Sequence, residues 1–219
     1  MKTALKTKDQ SQIEWRVAQN PVAYPDALSA MEQRVQAIED GKEPELFWLL
    51  EHPPLYTAGT SSDPTELIDT SRFPVFETGR GGRYTYHGPG QRVIYALCDL
   101  RQRDKDLRQH VWRLEEWIIR TLTEFEITSG RREGRIGIWV EHQGRDEKIA
   151  AIGVRVRRWI AYHGLALNVH PDLSHFSGIV PCGLPEFGVT SLHALGVKAS
   201  MQDVDEAFRR TAPNLMIVG

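Results

Sequence analysis

The sequence predicts an α+β fold built on a central mixed or mainly antiparallel sheet flanked by helices, and three observations lead there. Short apolar and β-branched runs cluster in the middle of the chain. Apolar stripes at helical spacing stand before, among and after them, and no regular βαβ alternation appears.

Leu28, Met31, Val35 and Ile38 fall on one helical face and predict a helix from about Asp26 to Glu39, stopped by Gly41. Leu46 to Leu50 reads as a buried strand closed by the His52-Pro53-Pro54 turn. Further strands are expected at Pro74 to Glu77 and Arg92 to Leu97. The clearest helix runs from Leu107 to about Phe125, where Val111, Leu114, Ile118, Leu122 and Phe125 make one stripe. Strands follow at Ile136 to Glu141, Ile149 to Val156, and Trp159 to Val169 with an interruption at Gly164. A last helix begins near Ser200, where Ser200 and Asp203 resemble a capping box ahead of Met201, Val204 and Phe208.

At 219 residues the chain suits one domain spanning residues 1–219, or a main domain with a small sub-sheet appended. It is 41% apolar and 26% charged, with a formal charge of −2. That balance argues against a nucleic-acid surface, which shows a basic excess. Met1 to Asn20 is polar and lacks the apolar core of a signal peptide, and no segment is apolar enough to span a bilayer. Two cysteines, Cys98 and Cys182, do not make a disulfide framework. A soluble cytoplasmic protein with free thiols is the expectation.

The least ordinary stretch is Arg80-Gly81-Gly82-Arg83-Tyr84-Thr85-Tyr86-His87-Gly88-Pro89-Gly90-Gln91. Its glycines allow close backbone approach to a ligand with amide donors left exposed. A long hairpin with glycine turns is the other reading. Neither GxxxxGK[ST] nor GxGxxG is present. Cys182 lies in Val180-Pro181-Cys182-Gly183-Leu184-Pro185, a proline-bounded loop where substrate can reach a thiol, whereas Cys98 ends an apolar strand and reads as inert core. An attacking thiol needs a cation or base nearby. Lys148 opens Lys148-Ile149-Ala150-Ala151-Ile152-Gly153, a strand whose small residues let a ligand pack close, although a lysine before a strand is more often simply solvated. Of the eight histidines, His170 and His175 stand near Cys182, but no metal-ligand spacing such as HExxH or CxxC is present.

Together these segments resemble the lipoyl(octanoyl) transferase family over most of the chain, from about Trp15 to Ala207. The glycine-rich run matches its signature in order: Arg-Gly-Gly, two free positions, Thr85, Tyr86, His87, then Gly90-Gln91 and Tyr95. Lys148 to Gly153, Gly164-Leu165-Ala166-Leu167-Asn168 and Pro181-Cys182-Gly183 match the later motifs; Ala151 stands where some members carry serine. The resemblance implies the fold of biotin and lipoate protein ligases, with Cys182 as acyl-thioester carrier and Lys148 as the residue that activates it. It also implies an acyl tunnel lined by Arg80 to His87, Ala151 to Gly153 (with Ile152), and Gly164 to Ala166 (with Leu165). The implied donor is octanoyl-acyl carrier protein. The implied acceptors are lipoyl domains, as in 2-oxoacid dehydrogenase E2 subunits and the glycine cleavage H protein. Energy already stored in a thioester makes ATP, cofactor and metal unnecessary. The rivals are an ATP-dependent lipoate or biotin ligase, which needs no cysteine nucleophile, and a non-catalytic acyl-binding module.

Overall fold

Leu46 to Leu50 alternates between two cores, and that alternation fixes the layering of the protein. A computed structural model describes residues 13–103, 105–180 and 187–212. In β2 (Leu46–Leu50), Phe47 and Leu49 enter one apolar cluster, while Leu46, Trp48 and Leu50 enter another on the opposite face. Successive strand side chains point to opposite faces, so an unbroken apolar run marks a strand covered on both sides.

The other strands are β1 (Glu14–Val17), β3 (Leu55–Ala58), β4 (Val75–Glu77), β5 (Thr85–His87), β6 (Gln91–Asp99), β7 (Ser129–Arg132), β8 (Arg135–His142), β9 (Arg145–Arg157), β10 (Ile160–Asn168) and β11 (Gly188–Val189). The main sheet runs β1-β2-β6-β10-β9-β8-β7, with β11 beside β9. The β1/β2 and β11/β9 pairs are parallel and the rest antiparallel, giving the mixed sheet the sequence predicts. A small sheet, β4-β3-β5, covers part of it. β3 and β5 went unpredicted because each is only three or four residues long, set among prolines or glycines.

Helix α1 (Tyr24–Glu39) begins two residues before the expected start, with proline in its first turn. Its end is as expected. Gly41 takes φ +68°, its amide donates to the Ile38 carbonyl at 3.0 Å, and the Lys42 amide donates to Ala37 at 2.8 Å. That is a Schellman closure, which favours glycine at the left-handed position. α1 packs Ala27, Met31, Val35 and Ile38 on one face of the sheet. On the other face lie α2 (Leu107–Thr123) and α3 (Met201–Thr211), the latter opened by the Ser200/Asp203 capping box.

Two differences from the sequence reading have physical causes. β10 is not interrupted at Gly164. A Cβ there would lie 2.2 Å from the Ile94 carbonyl, so the glycine serves close approach of β6. Helix α2 stops at Thr123, and Val111 turns to a cavity described below instead of joining the core with Leu114, Ile118 and Leu122. Trp117, outside the expected stripe, is the centre of that core. Its ring meets Phe47 at 4.8 Å and Phe208 at 5.2 Å, and its indole N–H donates to the Phe208 carbonyl at 2.9 Å.

Truncating such a side chain costs about 3–5 kcal/mol. Trp117→Ala is therefore expected to lower Tm by roughly 10 °C or more, at about 2–4 °C per kcal/mol for a chain of this size. Trp117→Phe, which loses mainly the hydrogen bond, should fall by less than half as much in the same calorimetric scan.

Candidate active site

A cavity of about 570 Å³ lies between the Arg80–His87 segment and strands β6, β9 and β10. Its floor includes Val93 and Tyr95 of β6, Ala151, Ile152 and Gly153 of β9, and Gly164, Leu165 and Ala166 of β10. Its roof is Arg80, Gly81, Gly82, Arg83, Tyr84, Thr85 and His87. The three separate stretches singled out in the sequence thus meet at one space. Tyr86 is the exception. It sits between Thr85 and His87 on β5, so strand alternation turns it to the other side. There its ring joins Tyr56 and Phe176 in a separate core, with its hydroxyl 2.8 Å from His175 Nδ1.

Arg80 is buried, and a buried cation must be hydrogen-bonded. Its guanidinium donates to the carbonyls of Gly81 at 3.0 Å, Thr57 at 2.9 Å and Arg83 at 3.1 Å, and to Thr57 Oγ1 at 2.6 Å. The Gly81 amide donates to the Val154 carbonyl at 3.0 Å, tying the roof to β9. A Cβ on Gly153 would lie 2.9 Å from Arg80 Cδ, so that glycine also makes room for the roof and not only for a ligand. At the rim, Arg83 forms an ion pair with buried Glu66.

Lys148 is 7% exposed and lines the cavity, so it is not the solvated lysine that its position before a strand suggests. Two backbone features put it there. The β8–β9 ladder shifts register between Ile138, opposite Ala150, and Trp139, opposite Lys148. The extra residue is Ile149, fully buried in the core, and a bulge of this kind re-aims the neighbouring side chain. Opposite, Gly137 adopts φ +113°, and a Cβ on it would lie 2.3 Å from Lys148 Cε and 3.0 Å from Nζ. The lysine side chain occupies the place a side chain at 137 would take. Its Nζ stands 5.3 Å from the centre of the Trp139 ring.

Cys182 lies outside the described residues, but both flanks of its segment are placed. The Val180 amide donates to the Glu66 carbonyl at 2.7 Å. On the other side Val189 of β11 pairs with Lys148, and the Thr190 amide donates to the Lys148 carbonyl at 2.9 Å. Cys98 is fully buried in the core, and burial pushes its thiol well above the usual range.

Sequence reasoning missed Tyr24, Tyr95 and His163 as lining residues. Tyr24 fell just outside the expected helix. Tyr95 stood in the recognised signature, and its ring bounds the floor; its hydroxyl donates to His52 Nε2 at 2.6 Å, while His52 Nδ1 meets the Val22 carbonyl at 2.6 Å. His163 carried no signal, because it depends on a φ of +61° within β10. Ala161 and Leu165 face the α2 side, yet His163 stacks on Tyr162 and approaches Tyr95, which face α1. Among the described residues there is no cluster that would hold a metal ion, and no helix is long and apolar enough to cross a membrane.

Burial lowers the pKa of His52 to about 4 and those of His87, His110 and His163 to about 3. Below their ordinary value near 6.5, the unfolded chain binds protons that the folded protein does not. Stability should therefore fall as pH drops from 6.5 toward 4, and His163→Phe should flatten the plot of Tm against pH over that window. Gly137→Ala is expected to lower Tm by roughly 5–10 °C, from backbone strain of about 1–3 kcal/mol plus the collision with Lys148. Gly144→Ala is the matched control, since Gly144 has φ +74° but nothing near its missing Cβ. It should lose less than half as much.

A family model for the lipoyl protein ligase A/B catalytic domain matches residues 23–212. The chain is 62% identical over 204 residues to an octanoyltransferase of Paramagnetospirillum magneticum, covering 93% of this chain and 96% of that protein. It is 60% identical to an octanoyltransferase of Rhodospirillum rubrum, covering 91% and 93%. Among solved structures it resembles one of an archaeal lipoylation system, a bipartite lipoate protein ligase and its lipoyl domain from Thermoplasma acidophilum, with TM-score 0.67 and 17% identity over 91% of this chain and 82% of that one. A lipoate-protein ligase A bound with ATP superposes with TM-score 0.65 at 18% identity, covering 90% and 83%. These two likenesses establish the fold expected from the sequence, and the identities above establish the family: the chain belongs to the lipoyl protein ligase A/B catalytic-domain family and, within it, to the octanoyltransferases, which are acyltransferases.

Proposed function

We propose that this protein moves an octanoyl group from octanoyl-acyl carrier protein to a lysine of a lipoyl domain, by way of a thioester on Cys182. Candidate acceptors are the lipoyl domains of 2-oxoacid dehydrogenase E2 subunits and the glycine cleavage H protein. The observation that carries this reading is the position of Lys148. It projects into a largely apolar cavity, and its own strand holds one flank of the segment that bears Cys182.

The chemistry follows from those groups. Lys148 either stabilises the Cys182 thiolate as an ammonium or takes its proton as an amine. Sulfur attacks the donor thioester carbonyl, and backbone amides stabilise the oxyanion, each worth on the order of 3 kcal/mol. The carbon–sulfur bond to the carrier breaks, and its thiolate leaves with a proton. The acceptor amine then attacks the Cys182 thioester, the amide forms, and the Cys182 thiolate is released. Lys148 relieves the amine of a proton. Exchanging one thioester for another and then for an amide needs no ATP.

Protein mixed with octanoyl-carrier protein should gain one octanoyl mass at Cys182, labile to hydroxylamine, and adding lipoyl domain without ATP should discharge it. An absolute requirement for ATP, or turnover with no adduct, would rule the mechanism out. Cys182→Ala is expected to abolish transfer while Cys98→Ala keeps most of it. Lys148→Ala should slow acylation at least 100-fold with the fold intact, as read by stopped acylation assays and circular dichroism.

A further inference from the structure

Several polar groups that line the cavity are met by the protein itself: the Arg80 guanidinium by carbonyls, Tyr95 Oη by His52, and His87 Nδ1 by Gln91. His163 Nε2 and Tyr24 Oη are not. Both atoms are buried with no hydrogen-bond partner among the described residues, and Thr78 stands near the tyrosine hydroxyl without closing a bond of ordinary geometry. His163 is 2% exposed and Tyr24 3%, and both residues line the cavity. They stand at one place in it. The His163 ring lies 6.0 Å from that of Tyr95, Tyr95 bonds His52, and the Tyr24 ring lies 5.5 Å from that of His52. The charge of Arg80 acts on both. That place is remote from the lysine, because His163 pairs with Val154, six residues along β9 from Lys148. His163 reaches it through a φ of +61°, a strained state of the kind that gathers at ligand sites.

A buried polar atom without a partner is unfavourable, and a hydrocarbon end pressed against it seals out water as well. A hydroxyl has a proton to give and lone pairs that accept, so it suits a phenol and either tautomer of a neutral imidazole. Burial keeps His163 neutral, with a pKa near 3. An ammonium would instead add a second cation beside Arg80. We propose that His163 and Tyr24 form a polar subsite that selects acyl chains by their far terminus, favouring a hydroxyl and disfavouring a methyl on any chain long enough to reach it. This rests on the reading of the cavity as an acyl site, and on no step of the transfer chemistry. An extended octanoyl chain of about 9 Å stops short of the pair, so the selection acts on chains of roughly ten to sixteen carbons.

The test is a calorimetric titration of the full-length protein with saturated fatty acids and their ω-hydroxy counterparts, in a series from about eight to sixteen carbons. At eight carbons the hydroxyl falls on the apolar lining, and the methyl-ended acid should bind more tightly. At a longer chain length the order should reverse, with the hydroxy acid bound about tenfold more tightly than its methyl-ended partner. His163→Phe and Tyr24→Phe should each cut that preference at least threefold. Tyr24→Phe removes one oxygen and carries the comparison should the His163 variant not fold. Equal weakening of both termini assigns the two residues to packing and overturns the proposal. Methyl-ended acids that bind with no reversal at any length, or a reversal that survives both variants, also overturn it while leaving the acyl reading in place. Binding of no acid at any length removes the acyl reading, and this proposal with it.

Discussion

A guanidinium taken out of water has to be met by acceptors, and around Arg80 those acceptors are the roof of the cavity itself. The carbonyls of Gly81 and Arg83 turn inward to it from its own loop, and Thr57 meets it from β3. Leaving such a group unpaired would cost several kcal/mol, far more than the loop loses by giving up solvent contacts. The loop is therefore held over the sheet by this side chain together with the Gly81 amide, which donates to the Val154 carbonyl of β9. Gly153 completes the arrangement, since a side chain there would displace Arg80. Residues that a sequence reader assigns to a ligand can thus be the ones that build the container.

Lys148 depends on the same kind of backbone provision. A bulge places Ile149 in the core and the lysine in the cavity, and Gly137 gives it room. Arg135 lines the same cavity, and its guanidinium carbon stands 5.6 Å from the centre of the Trp139 ring that Lys148 Nζ approaches at 5.3 Å. His87 and His163, which line the same cavity, are held neutral by burial.

Much of this was legible in the sequence, for definable reasons. Helices α1, α2 and α3 announce themselves because each buries a single stripe, and β2, β6 and β10 because they are covered on both faces. The glycine-rich run and the Lys148 strand could be singled out because small residues and lone reactive groups are informative even without coordinates. The misses share a cause. Tyr86 was grouped with its neighbours because a motif is read as a block, whereas a strand divides it between two faces. β3 and β5 are too short to show a period. His163 reaches the cavity only through a left-handed backbone at a non-glycine residue, a strained state that tertiary packing imposes and no local pattern encodes.

That strained histidine bears on how the cavity is divided. His163 pairs with Val154 on β9, six residues along the strand from Lys148, a separation of about 20 Å at ~3.3 Å per residue. His87, whose Nδ1 meets Gln91 Oε1 at 2.7 Å, has its ring 5.8 Å from that of His52. An extended eight-carbon chain of ~1.5 Å bonds spans about 9 Å. Anchored near Lys148, such a chain covers roughly half the distance toward His163, along the small and apolar side chains of Ala151, Ala166 and Val93. Between those two positions on β9 the lining includes Ala151, Ile152 and Gly153, with Arg80 packed against Gly153. The small side chains that β9 and β10 contribute there leave an apolar stretch with the length of a medium-chain hydrocarbon.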